Sequence, residues 1–215
     1  MIIETIIYVA LIIGLFMVCD NSLSRRYYVP FKVVCSASFL AILFINHYFS
    51  EKLTMMMWAL FACFVGDILM GLYNTYTRKE FMILGIISFM IGHVGLLNYM
   101  CRITDRTSAL IYILPCISCV LLAWLRSHFR LHMGSLFVPC LIYCYFITSM
   151  TLKALECGLQ GMLWLAVAGI LFWISDFTII FLYFYHYRSK SIKRIVHFIN
   201  LATYYAAILL FIFSL

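Results

Sequence analysis

Residues 61–73 read FACFVGDILMGLY, from Phe61 to Tyr73, a run that is apolar or small everywhere except at Asp67. An ionised Asp at the middle of a membrane helix costs several kcal/mol, from ~3 to over 10 depending on the scale. Asp67 is therefore expected either to face polar surroundings or to be held neutral. Residues 169–183, GILFWISDFTIIFLY, repeat the arrangement, with Asp176 following Ser175 as Asp67 follows Gly66. Two carboxylates in matching apolar settings mark the candidate chemistry of the chain.

The composition around them is that of a polytopic membrane protein. Hydrophobic residues make up 66% of the 215 and charged residues 11%, against roughly 25% charged in soluble domains, and the mean hydropathy is +1.06. Eight apolar runs can be read: Ile2–Cys19, Pro30–Tyr48, Thr54–Tyr73, Phe81–Met100, Thr107–Leu125, Met133–Leu152, Gly161–Tyr183 and Ile195–Leu215. Each suits a helix across a hydrocarbon core of ~30 Å. Membrane barrels need strands of alternating hydrophobicity, whereas these runs are apolar on every side. The expected fold is an all-α bundle of eight transmembrane helices in a single domain, residues 1–215. The first run carries Glu4 and no basic flank, so it reads as a retained span rather than a signal peptide.

The net charge of +7 does not point to nucleic acid, because the basic residues lie between apolar runs, where they act as topology signals. Loops after odd spans hold Arg25, Arg26, Arg78, Lys79, Arg126, Arg130, Arg188, Lys190, Lys193 and Arg194, and loops after even spans only Lys52, Arg102, Arg106 and Lys153. That bias places the odd loops in the cytoplasm and both termini on the other side. A bacterial inner membrane and an endoplasmic reticulum suit such a chain equally. The offset from Asp67 to Asp176 also superposes Pro30 on Pro139, which points to a duplication of four helices plus four. The third and seventh spans run in the same direction, so the two aspartates can share one depth and one cavity.

Further polar residues interrupt the apolar runs. Lys32, at the cytoplasmic entrance of the second span, has two open readings: a side chain snorkelling to the headgroups, or an ammonium beside Asp67, Asp176 or a lipid phosphate. His93 shares a helical face with Gly85 and Phe89 and is either a hydrogen-bonding strut or a site residue. Tyr143, Tyr204 and Tyr205 are candidate donors into a cavity. Gly66, Gly71 and Cys63 would let a neighbouring helix approach Asp67 closely. His128 and His132, four apart, flank a basic loop and are expected to be solvated. Cys116 with Cys119, and Cys140 with Cys144, lie on helical faces as small packing residues. No pair of CxxC motifs, HExxH, GxSxG or phosphate-cradling Gly-rich loop occurs, so no metal and no cofactor is expected.

Lys32 after an aromatic residue, Gly66-Asp67-Ile68-Leu69, the Gly85-x3-Phe89-x3-His93 face, Tyr143 with Met150, the LFWISD run ending at Asp176, and Thr203-Tyr204-Tyr205 form an ordered set across spans two to eight. That set resembles the YhhN-like lysoplasmalogenase family of eight-helix membrane proteins. The chain departs from it at Val33, Leu96 and Ile208, where the family tends to carry Pro, an aromatic residue and a polar residue. The resemblance implies hydrolysis of the vinyl ether bond of a lysophospholipid, the lysoplasmalogen, to a fatty aldehyde and a glycerophospho-ethanolamine or -choline.

Vinyl ether hydrolysis begins with proton transfer to carbon and proceeds through an oxocarbenium ion that water captures. It needs a protonated acid and a nearby anion. Burial favours the neutral form of a carboxyl and a neighbouring cation the charged form, so carboxyls in unequal surroundings can divide the two roles. Asp176 is expected as general acid and Asp67 as base, with His93 orienting the water and Lys32, Tyr143, Tyr204 and Tyr205 binding substrate. The rival reading is a small-solute or proton-coupled transporter, since intramembrane Asp and His residues also build proton relays. A zinc hydrolase holding its metal with three His would need more than one well-buried His.

Overall fold

A computed structural model describes residues 2–20, 27–47, 53–104 and 107–215. The described residues form nine α-helices: α1 Ile2–Asp20, α2 Tyr28–His47, α3 Leu53–Tyr76, α4 Lys79–Ile103, α5 Leu110–Ile113, α6 Pro115–His128, α7 Phe137–Leu159, α8 Leu163–Phe184 and α9 Lys190–Phe213. Seven segments among them are long and apolar enough to cross a membrane, α5 and α6 counting together as Leu110–His128, and Ile3–Val18 is a shorter apolar helix. Only helices or closed barrels satisfy their backbone polar groups in hydrocarbon, and this chain satisfies them with helices. Of the basic residues that set the expected orientation, Arg25, Arg26, Lys52 and Arg106 lie outside the described residues.

All three prolines stand at helix starts, where a missing N–H interrupts no intrahelical bond. Pro30 and Pro139 lie in the first turns of α2 and α7, and Pro115 opens α6. Pro115 lies within the expected fifth span, which remains one apolar segment, Leu110–His128, with helical dihedrals at Leu114. With no N–H to donate towards Ile111, it marks the step from α5 to α6, which are joined by the turn bond from Leu114 N to Leu110 O of 3.0 Å. The reversal between α7 and α8 is made at Gly161, with φ 94°, a conformation that costs glycine no Cβ clash.

The chain forms two compact units, Met1–Leu96 together with Leu215, and Leu97–Ser214. In the first, α2 packs on α1 and on α3, and α3 and α4 approach through small residues. A Cβ on Gly92 would lie 2.6 Å from Cys63 Sγ, and one on Gly95 2.8 Å from Ala59 Cβ. In the second unit α7 packs against α6 and α8, and α8 against α9. A Cβ on Gly169 or on Gly158 would come within 2.5 Å of Ala154 or Ala166, so α7 and α8 meet almost backbone to backbone. Without a hydrophobic force between helices in lipid, such close packing is what holds them together.

Lys153 corrects an expectation. It does not lie in a loop but within α7, which continues to Leu159, and its side chain is 0% exposed. Its ammonium donates to Thr107 Oγ1 at 2.9 Å and to Glu156 Oε2 at 3.2 Å, while Ser108 N donates to Glu156 Oε1 at 3.0 Å. A buried charge is tolerated when it is paired and hydrogen-bonded, and here the pairing clasps residues 107–108 to α7.

Candidate active site

In the first unit the organising carboxylate, Asp67, is 2% exposed and pairs with Lys32, whose Nζ lies 3.0 Å from Oδ1. Ser36 Oγ donates to the other oxygen, Oδ2, at 2.7 Å. Lys32 and Ser36 are four apart on α2 and so share a helical face. That face presents a cation and a hydroxyl to one carboxylate on α3. The structure thereby decides between the two readings of Lys32: its side chain is 10% exposed and turns to Asp67 rather than to the headgroups. Tyr8 of α1, also buried, lies within electrostatic reach of Asp67.

The glycines around Asp67 serve close approach as expected. A Cβ on Gly66 would lie 2.8 Å from the Phe89 ring, and one on Gly71 3.6 Å from Val29 and 4.0 Å from Lys32 Cδ. Phe89 therefore lies over Gly66, and Gly85 lies against Met70 and Leu69, so this face of α4 is applied to α3. His93, one turn beyond Phe89, is fully buried. Ser88 adds a polar tie between the helices, its hydroxyl donating to Ala62 O at 2.8 Å.

In the second unit Asp176 is buried on α8, and Tyr143 of α7 donates its hydroxyl to Oδ2 at 2.5 Å. Beside it, Ser175 and Asn200 lock α8 to α9: Asn200 Nδ2 donates to Ser175 O and Oγ, both at 2.9 Å, and Ser175 Oγ donates back to Asn200 O at 3.2 Å. Tyr204 and Tyr205, both buried, lie one turn on from Asn200. The Tyr204 ring meets Phe172 edge-on with centroids 5.4 Å apart, and Tyr205 lies 5.0 Å from Tyr204. Cys144 is within electrostatic reach of Asp176.

The structure thus joins Lys32 with Asp67 and Tyr143 with Asp176, and it places His93, Tyr204 and Tyr205 in buried helix contacts. Sequence reasoning missed Ser36 and Asn200. The first was findable as the residue one turn after Lys32, and the second as the polar residue one turn before Tyr204. His128 and His132 are exposed, with His128 stacked on Trp124 at 4.8 Å. Among the described residues no three His, Cys, Asp or Glu side chains are grouped as metal ligands.

Each aspartate thus sits inside a membrane-spanning helix with donors of a different kind, an ammonium and a hydroxyl for one and a phenol for the other. No curated protein and no solved structure matches the chain. The model of the YhhN family matches residues 27–215, and the chain belongs to that family.

Proposed function

We propose that this protein is a membrane-embedded hydrolase that cleaves the vinyl ether bond of lysoplasmalogens, releasing a fatty aldehyde and glycerophospho-ethanolamine or -choline. The observation that carries the reading is the unequal treatment of two buried aspartates in a YhhN-family chain: Asp67 is ion-paired with Lys32, and Asp176 is held by Tyr143. The Lys32 ammonium beside Asp67 suits that residue to the role of base rather than of proton donor. Proton delivery is therefore assigned to Asp176, oriented through its Oδ2 by Tyr143.

In this reading Asp176 transfers a proton to the vinyl carbon remote from the ether oxygen, and the π electrons form the new C–H bond. Water adds to the resulting oxocarbenium carbon and gives up a proton to Asp67. The hemiacetal then collapses: its hydroxyl returns a proton to Asp176, the ether C–O bond breaks, the glycerol oxygen takes the proton held by Asp67, and the aldehyde leaves with both carboxyls restored. One water is consumed and no redox partner is needed. Placed positively, general acid–base groups contribute ~10²–10⁴-fold each. His93 is assigned to orienting the water, and Tyr204 and Tyr205 to the substrate site.

A transporter reading gains no support from the fifth span: Leu114 keeps helical dihedrals and Leu110–His128 is one apolar segment, whereas transporter sites are built from helices interrupted at the midplane. The proposed orientation keeps the odd loops cytoplasmic and both termini opposite. Moving Lys153 out of the even loops strengthens that bias. The repeat of four helices plus four has one support: in each half the aspartate accepts a bond from the preceding long span, Ser36 to Asp67 and Tyr143 to Asp176. The deciding experiment is incubation of purified protein in detergent with lysoplasmalogen and with an ester-linked lysolipid, with detection of aldehyde and fatty acid. Aldehyde from the first alone supports the hydrolase. No product from either, with solute flux appearing only in sealed vesicles, would establish transport instead.

A further inference from the structure

One end of the second unit carries a rim of aromatic and basic side chains that the proposed chemistry does not use. It is built where α6 ends, α7 begins, α8 ends and α9 begins. Trp124 stacks on His128, His128 meets Phe129 edge-on at 4.9 Å, Phe129 meets Phe181 at 5.5 Å, and Tyr185 meets Tyr187 at 5.0 Å. The loop after α6 is tied to the end of α8 by His132 N donating to Phe184 O at 2.9 Å. Arg126 lies over the Phe137 ring at 4.1 Å, and a guanidinium held against a ring can still offer its N–H edge to an acceptor.

The charge of this rim is of one sign. Residues 124–137 and 181–194 contain Arg126, Arg130, Arg188, Lys190, Lys193 and Arg194 and not one Asp or Glu. Among the described residues no carboxylate pairs with Arg126 or Arg130, and Arg130 is exposed. Aromatic residues interleaved with arginine are what a headgroup layer selects, and bidentate guanidinium groups are suited to phosphate.

The depth of Asp176 gives the rim a second meaning. At ~1.5 Å per residue, Asp176 lies about 12 Å before the end of α8 at Phe184, and Tyr143 about 9 Å beyond the start of α7 at Phe137. In a lysophospholipid with a vinyl ether, the phosphorus is joined to the carbon that must be protonated by a chain of single bonds and one double bond. At bond lengths of ~1.5 Å that chain spans about 9 Å when extended. A phosphate at the rim would therefore set the reacting carbon near the depth of Asp176.

We propose that the Arg126 and Arg130 rim is the phosphate-docking site of the lipid substrate, acting as a ruler that places the ether carbon at Asp176. This rests on the hydrolase reading, and its test separates the two. Purified full-length protein in detergent is titrated with 1-O-hexadecyl lysophosphatidylcholine, a saturated ether that cannot be protonated at carbon. Parallel titrations use 1-O-hexadecylglycerol, which lacks phosphate, and inorganic phosphate. At least tenfold tighter binding of the phosphate-bearing lipid than of either fragment is expected. Arg126→Gln/Arg130→Gln should abolish the preference, Arg126→Lys/Arg130→Lys should restore part of it, and Arg78→Gln/Lys79→Gln should leave it intact.

Because Arg126 also packs on Phe137, the exposed single variant Arg130→Gln guards against misfolding. It should weaken lipid binding severalfold, and both raise KM and lower kcat where aldehyde is released, since a lost phosphate anchor also misplaces the reacting carbon. Equal affinity for hexadecylglycerol and the phospholipid, phosphate alone binding as tightly, or an unchanged preference in Arg126→Gln/Arg130→Gln would overturn the proposal. The binding measurements give this answer whether or not the protein hydrolyses a vinyl ether.

Discussion

Replacing Lys32 by Met removes the ammonium from a carboxylate that is 2% exposed while keeping most of the apolar stem. Breaking a buried pair from one side costs ~3–5 kcal/mol, because the remaining charge is left uncompensated. Ser36 still donates to Oδ2 at 2.7 Å, which argues for the lower end, about 3 kcal/mol. For a chain of this length ~1 kcal/mol corresponds to about 2–4 °C in Tm, so a loss of roughly 6–12 °C is expected. The double variant Lys32→Met/Asp67→Leu should recover most of it, since replacing both partners of a buried pair by apolar groups is often neutral. The assay is thermal unfolding in detergent followed by a thiol-reactive dye, for which the buried Cys35, Cys63, Cys140 and Cys157 are internal reporters. A single variant as stable as the parent, or a double variant no more stable than the single, would refute the claim that the pair is buried and coupled.

The same reasoning covers other contacts. Gly66→Leu should destabilise by about 1–3 kcal/mol through overpacking against the Phe89 ring, and Phe89→Ala in the same chain should relieve part of this, read as Tm. Lys153→Met should cost about 3 kcal/mol by stranding Glu156, with partial recovery in Lys153→Met/Glu156→Gln measured in the same thermal assay. Tyr143→Phe should leave the protein folded and lower kcat for aldehyde release about 10–100-fold, while Asp176→Asn should lower it by ~10²–10⁴; steady-state kinetics on monodisperse protein checks both.

Much of the fold was legible because the bilayer is an exacting solvent. Runs apolar on every side leave one regular structure that satisfies its own backbone, so the long helices were expected near where they lie, although α7 runs past its expected end at Leu152 to Leu159 and α9 begins at Lys190 rather than Ile195. The departures have local causes. Lys153 looked like a loop residue because a charge near the end of an apolar run usually marks its exit from the membrane, yet Thr107 and Glu156 supply acceptors that keep it within α7. Pro115 lies inside the expected fifth span and leaves the Ile111 carbonyl without its helical donor, yet Leu114 keeps helical dihedrals and the segment continues to His128.

For the site, spacing located the carboxylates but not their partners. The choice of Lys32 between solvent and Asp67 depends on how α2 rotates against α3, which Ser36 and Gly71 settle together and which no single run of sequence encodes. Ser36 and Asn200 carried a weak signal, a small polar residue one turn from a candidate, that becomes meaningful only when the neighbouring helix is in place.

The central claim, protonation of a vinyl ether carbon by a buried carboxyl, is tested most directly by mass spectrometry of the aldehyde released by the purified protein in deuterium oxide. One deuterium on the carbon next to the carbonyl, with product formation lost in Asp176→Asn and in Asp67→Asn, is the predicted result. An aldehyde without deuterium at that carbon, or its undiminished release by either variant, would contradict it.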